Sequence, residues 1–165
     1  MLRILIVCTG NVCRSPMGEG LLRKLLREEN RHGEVVVESA GTHALDGSAA
    51  SLEAIDTAAE DGVDIRGHVA RSITKRLVDR ADLILTMEPE HADRLVDDYP
   101  EAESRVHLVT VYGDPKGDRL GVPDPIGLGH ETYRAAYRTI KKALRYAVPR
   151  ILAMVPEGTE PTGKG

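Results

Sequence analysis

The stretch from Leu2 to Val7 is aliphatic apart from Arg3 and ends at a loop, Cys8-Thr9-Gly10-Asn11-Val12-Cys13-Arg14-Ser15. A short apolar run that stops at Gly and Asn is the pattern of a strand buried on both faces, as in a parallel sheet. Ser15 suits an N-cap and Pro16 the first helical position, where the missing N–H does no harm. Met17, Leu21, Leu22, Leu25 and Leu26 then recur at helical spacing to about Glu29, and Glu34 to Glu38, with its three valines, reads as a second strand. This is one βαβ unit, and it commits the chain to a sheet that needs helices on both faces.

The remaining pattern supplies them. A second helix is expected over Ala49 to Glu60, stopped by Gly62 at C′, and Ser72 is a candidate cap for a short third helix. Asp82 to Met87 reads as a third strand, Pro89 to Asp97 as a fourth helix and Val106 to Val109 as a fourth strand. Residues 111 to 129 hold five Gly and three Pro, a long loop of the kind that carries function in a compact domain. A final helix runs from about Glu131 to Met154, broken or kinked at Pro149. The expected fold is therefore α/β: a three-layer domain over residues 1–155, with a four-stranded parallel sheet and helices on both faces. The Gly/Pro/Thr-rich residues 156–165 are expected to be a disordered tail.

At 165 residues the chain is one domain's worth, and its 41% hydrophobic and 29% charged residues are those of a soluble globular protein. With 22 Lys and Arg against 26 Asp and Glu there is no overall positive field for nucleic acid. No apolar run approaches the ~20 residues that cross a bilayer, and no signal-peptide pattern surrounds Ile4 to Val7, so a cytoplasmic location is expected. Cys8 and Cys13, the only cysteines, are too few for a disulfide scaffold and lack the second pair of a zinc ribbon.

Ligands of parallel sheets bind beyond the carboxyl ends of the strands, so the loop after strand 1 is where chemistry is expected. Its backbone N–H groups, at a helix N-terminus, can converge into an anion-binding nest. Gly10 permits conformations that a Cβ forbids, Asn11 tolerates the left-handed region, and Arg14 adds a planar fork that grips two phosphate oxygens. Cys8 at the floor of that nest is favoured as thiolate by the helix-end dipoles and Arg14, which makes it a nucleophile toward phosphorus. A lone cysteine ending a buried strand is usually packing; Arg14 across a Gly/Asn loop, directly before Ser15-Pro16, points to phosphoryl transfer instead. No Walker pattern is present, and Gly18-Glu19-Gly20 falls inside the expected helix without a third glycine. The leaving group needs a proton, and the long loop offers two Asp-Pro pairs, Asp114-Pro115 and Asp124-Pro125, each of which is also an ordinary turn. Position alone does not choose between them. A binding module that uses the same nest without turnover is the rival of another class, and retention of both a cysteine and a loop aspartate speaks against it.

The loop Cys8 to Ser15 with Pro16-Met17, taken with Pro123-Asp124-Pro125-Ile126-Gly127 before the last helix, resembles the low molecular weight protein tyrosine phosphatase family from Met1 to about Met154. The resemblance implies a metal-free, cofactor-free protein phosphatase with Cys8 as nucleophile, Arg14 as phosphate clamp and Asp124 as general acid and then base. Thr9, Gly10, Asn11, Val12, Cys13, Arg14 and Ser15 become its phosphate-binding loop, supported by Asn11, Ser15, Ser39 and His68; Asp114 is then a loop residue. By themselves these four supports read as a turn, a cap, a strand end and a solvated loop. Cys13 matches a position from which family members bond the oxidised nucleophile. Tyrosine-specific relatives place aromatics after the Asp-Pro; here Ile126 and Gly127 stand there, and no aromatic lies in Thr42 to Leu45. The family's arginine phosphatase branch is similar in its Asp-Pro-apolar-Gly motif and carries Thr where this chain has Val12. Phosphotyrosine is the first expectation, phosphoarginine the alternative, with Val12 and Ile126 as the selecting residues. A related arsenate reductase family relays through further cysteines, and none follows Cys13. Phosphorylated proteins are the expected partners of a monomeric enzyme. Arg134, Arg138, Lys141, Lys142 and Arg145 read as a solvated helix face.

Overall fold

The computed structural model describes residues 1–157. Its centre is β1 (Leu2–Cys8), whose alternating side chains enter two separate cores. Ile4 and Ile6 pack under α1 (Arg14–Glu28), α2 (Leu52–Glu60) and α6 (His130–Ala153), while Leu5 and Val7 pack under α3 (Lys75–Arg80) and α4 (Pro89–Asp98). All four strands are parallel, in the order β2-β1-β3-β4, with β2 at Val35–Gly41, β3 at Leu83–Thr86 and β4 at Val106–Leu108. The three-layer architecture is the one expected. β2 extends three residues beyond the expected end, because Ile6, Val7 and Cys8 pair with Ser39, Ala40 and Gly41. From β1 the chain crosses to β2 on one side while β3 lies on the other, so the carboxyl end of β1 is a topological switch point.

Several termini differ from expectation for local physical reasons. Helix α1 starts at Arg14 with Cys13 as N-cap and no side-chain cap; the Ser15 hydroxyl is taken by partners in the loop before it. Thr74, not Ser72, caps α3 by accepting from Leu77 N at 3.2 Å, and Ser72 instead donates to Asp46 at 2.9 Å. Ser51 caps α2 through Ala54 N, and Gly62 takes the left-handed conformation (φ +71°) expected of a C′ glycine. The segment after β4 forms a single turn, α5 (Val109–Tyr112), that shortens the strand and the long loop. Helix α6 passes unbroken through Pro149, which lies on its exposed face where the carbonyl left without a donor meets water. One ion cluster fastens three helices: Asp61, at the end of α2, accepts from Lys141 and Tyr137 of α6 and pairs with Lys24 of α1. Of the expected tail, all but Pro156 and Glu157 lies outside the described residues.

Candidate active site

The loop after β1 is shaped by Asn11. Its backbone is left-handed (φ +55°), the one such residue between Cys8 and Arg14; Gly10 has an ordinary φ and room for a Cβ, so the conformational freedom expected of the glycine is exercised by the asparagine. Four contacts hold it. Arg71 N donates to Asn11 Oδ1 (3.0 Å), which fixes the amide so that Nδ2 donates to both Ser15 Oγ (2.8 Å) and Ser39 Oγ (2.9 Å). His68 Nε2 donates to the Asn11 carbonyl at 2.7 Å, with its Nδ1 3.9 Å from Glu19. His68 is a support within the network and not the solvated loop residue that its sequence context allows. Ser15 Oγ, which accepts from Asn11, also lies 2.9 Å from Cys8 Sγ, within hydrogen-bond reach of the sulfur. Gly41 closes the arrangement from β2: a Cβ there would stand 2.4 Å from Thr9 O and 3.0 Å from Asn11 N.

Arg14 is only 1% exposed, and a guanidinium so buried needs opposite charge. Glu88, from the end of β3, binds its Nη1, which also donates to the carbonyl of Val122 at 2.8 Å. Val122 is brought there because its N–H continues from β3, donating to Met87 O at 2.7 Å, while Gly121 beside it has φ +80° and no space for a Cβ against that same carbonyl. With Nη1 occupied, the Nε and Nη2 edge remains. Nη2 lies 3.3 Å from Thr9 Oγ1 and 3.5 Å from Asp124 Oδ2, and Nε is buried with no hydrogen-bond partner among the described residues. That edge presents two parallel N–H groups, the geometry that recognises two oxygens of a phosphate.

The two Asp-Pro pairs separate in space. Asp124 stands beside Arg14, its Oδ1 accepting from Ile126 N and its side chain 38% exposed. Asp114 accepts from Lys116 N and lines a different cleft with Thr139, Lys142 and Tyr146. Val12 is half-buried against the core below the loop, and Ile126 is exposed beyond Asp124. Cys13 is buried, its thiol bonded to Ser51 Oγ (3.4 Å) and Tyr133 Oη (3.3 Å). Burial pushes that thiol above its ordinary pKa, against the pull of the two hydroxyls. Among the described residues no group of three or more His, Cys, Asp or Glu is placed to hold a metal ion.

Sequence reasoning missed Glu88 and His91, which form a reciprocal capping box at the start of α4. Glu88 N donates to His91 Nδ1 at 3.0 Å, so the ring proton sits on Nε2 and points at Thr9 Oγ1, 2.9 Å away. The detectable signal was Glu88-Pro89 at the end of an apolar strand with His91 three residues from the cap, a helix start facing the same sheet edge as the Cys8 loop.

The loop after β1 thus gathers a cysteine, an arginine with an unpartnered Nε and a nearby carboxylate, the kinds of group that cysteine-based phosphoryl transfer requires. Residues 3–154 match the family described as low molecular weight phosphotyrosine protein phosphatase, and the chain belongs to that family. It is 41% identical over 142 residues to the low molecular weight protein-tyrosine-phosphatase Wzb of Escherichia coli K12, covering 86% of this chain and 90% of that one. A YwlE arginine phosphatase with serine substituted in its active site, and that serine phosphorylated, has a similar structure (TM-score 0.86, 27% identity, 93% of this chain and 97% of that one). So does the tyrosine phosphatase Wzb of Escherichia coli K30 in complex with sulphate (TM-score 0.80, 33% identity, 92% and 99%).

His91 supplies a pH test of this geometry. Burial, assisted by Arg14, lowers its pKa to about 4, and the ordinary value of 6.5 returns on unfolding. The unfolded chain therefore binds more protons between those values, so this contribution to stability is complete above pH 6.5 and is lost as pH falls toward 4. Denaturant unfolding of the wild type and of His91→Gln across this range is expected to show a shallower decline in the variant; parallel curves would mean that His91 is not held neutral by the site.

Proposed function

We propose that the protein removes phosphate from phosphotyrosine on proteins by way of a phosphocysteine on Cys8. The observation that carries this is the Ser15 hydroxyl 2.9 Å from the Cys8 sulfur in the loop whose Arg14 leaves Nε without a partner among the described residues, so that a sulfur nucleophile and a phosphate-binding edge share one site. In the first step the sulfur attacks phosphorus and the S–P bond forms as the P–O bond to the tyrosine breaks. The phenolic oxygen takes its proton from Asp124, and the Nε–Nη2 edge of Arg14 holds the phosphoryl oxygens. In the second step Asp124, now a carboxylate, takes a proton from water as that water attacks phosphorus and the thiolate departs. A phosphorylated active-site serine in the YwlE relative supports a covalent route at this position.

Cys8→Ser is expected to abolish turnover of para-nitrophenyl phosphate with the fold intact, and a chelator to leave the wild type active. Asp124→Asn is expected to slow hydrolysis of substrates with basic leaving groups by on the order of 10²–10⁴-fold, with little loss on activated aryl esters. Asp114→Asn is expected to be silent; the reverse pattern would relocate the acid.

Phosphoarginine is the second reading, favoured by the exposed aliphatic Ile126 where a ring-stacking aromatic would serve a tyrosine, with Val12 intermediate because it has the shape of threonine without the hydroxyl. A hydroxyl at residue 12 could hydrogen-bond a guanidinium or the attacking water, and such a site discriminates more sharply than an apolar one. Val12→Thr is expected to raise the ratio of phosphoarginine to phosphotyrosine kcat/KM, and Val12→Ile to lower it. A ratio constant across wild type and both variants would move selection to Ile126 and the Thr42 to Leu45 loop.

Cys13 is the proposed redox partner of Cys8. Peroxide converts the Cys8 thiolate to a sulfenic acid, and the Cys13 thiol displaces hydroxide to give a disulfide and water. Reversible inactivation by mild peroxide is expected in the wild type and irreversible loss in Cys13→Ser, measured as activity regained with a thiol reductant; equal recovery would leave Cys13 as packing. The working form is proposed to be a cytoplasmic monomer acting on phosphorylated proteins without nucleic acid or membrane. In support, no helix among the described residues is long and apolar enough to cross a membrane.

A further inference from the structure

Away from the phosphate loop, at the other end of β1, Arg3, Lys75, Arg76 and Arg80 line a broad, shallow cleft open to solvent, in which Asp79 is the one acidic lining residue. The chain as a whole carries a net charge of −4, so this gathering of cations does not follow from composition. Behind the cleft a single carboxylate serves three guanidiniums: Glu38 accepts from Arg80 at 2.7 and 2.8 Å and from Arg3 at 3.5 Å, and Arg71 stands 3.8 Å from it. Lys75 pairs with Asp79 and also feels the Glu101 carboxylate, and Asp82 is engaged by the Arg3 backbone N–H, leaving five cations, with Arg71, to four carboxylates. The Arg76 side chain is exposed, with no side-chain hydrogen bond or ion pair among the described residues, and Arg80 Nε is buried there without a hydrogen-bond partner. Cations that outnumber their counter-charges repel one another, and an anion seated between them relieves that repulsion.

Arg3 and Cys8 are five residues apart on β1, about 17 Å at the rise of a strand. β2 is the edge strand of the sheet between the two ends, and Arg71 stands along it, its Nε donating to Ser39 O and its backbone N–H holding Asn11. A row of cations thus leads from the cleft to the supports of the phosphate loop. We propose that this cleft docks an acidic segment of the phosphoprotein substrate, with carboxylates about five to eight residues from the phosphorylated residue, the span that an extended peptide covers over that distance. The proposal rests on the phosphoprotein reading above.

The test uses three phosphopeptides of one length: one with four glutamates placed five to eight residues before the phosphorylated residue, one with them after it, and one with glutamine at all those positions. Expected is a KM about tenfold lower for one glutamate peptide than for the glutamine peptide, with kcat unchanged. Arg76→Glu is expected to remove most of that preference and Arg76→Lys to keep it, both variants hydrolysing para-nitrophenyl phosphate as the wild type does. Salt at about 0.5 M, which screens exposed charges, is expected to erase it. Equal KM for all three peptides, or a preference that survives Arg76→Glu, overturns the docking while leaving the phosphatase reading in place. Failure to hydrolyse any peptide, with para-nitrophenyl phosphate still cleaved, overturns the phosphoprotein reading and the docking with it.

Discussion

Arg14 is a full positive charge shut away from water, and much of the catalytic edge is arranged around keeping it there. An uncompensated ion at that depth costs several kcal/mol, so the compensating groups are structural necessities before they are catalytic ones. They come from three places in the chain: Thr9 from the end of β1, Glu88 from the end of β3, and Val122 with Asp124 from the loop before α6. A parallel sheet brings these together without long excursions, because all its strands deliver their carboxyl ends to one edge. Glu88 also decides which face of the guanidinium remains for a ligand, since it occupies Nη1 and leaves the Nε edge open.

The phosphate loop depends on a second, more local constraint. A left-handed asparagine would relax toward ordinary backbone if it were free, and its side chain and carbonyl are instead fixed by β2, by the His68 loop and by Ser15. The consequence is chemical as well as conformational: the same Ser15 hydroxyl that receives Asn11 Nδ2 is held within hydrogen-bond reach of the Cys8 sulfur. Cys8 and the polar network around Asn11 are therefore one hydrogen-bonded unit, and on the proposed reading a substrate phosphate would meet donors that need little reorganisation.

Much of this was legible in the sequence, for identifiable reasons. Leu2 to Val7 followed by a Gly/Asn loop encodes a buried parallel strand locally, and the Cys8 to Arg14 spacing carries its own chemistry. Asp124 and Asp114 could not be separated from residue pattern alone, because what distinguishes them is contact with Arg14 across more than a hundred residues of chain. Ser15 and Ser72 were misread as caps for the same reason. A serine before a helix satisfies the local rule, and only tertiary partners, Cys8 and Asn11 for one and Asp46 for the other, reveal that its oxygen is engaged elsewhere. At Pro149 the expected break does not occur: local chemistry disfavours proline within a helix, but on the outer face of the long α6 the helix continues through it.

The capping box of α4 shares its histidine with the loop after β1, so a helix end and an anion nest have a side chain in common. Fraying of that first turn releases the Nδ1 acceptor and lets the ring rotate, which withdraws the donor from Thr9 and loosens Glu88 on Arg14. The shared ring couples two segments more than seventy residues apart, so opening of the start of α4 and of the loop after β1 is expected to occur as one local unfolding unit.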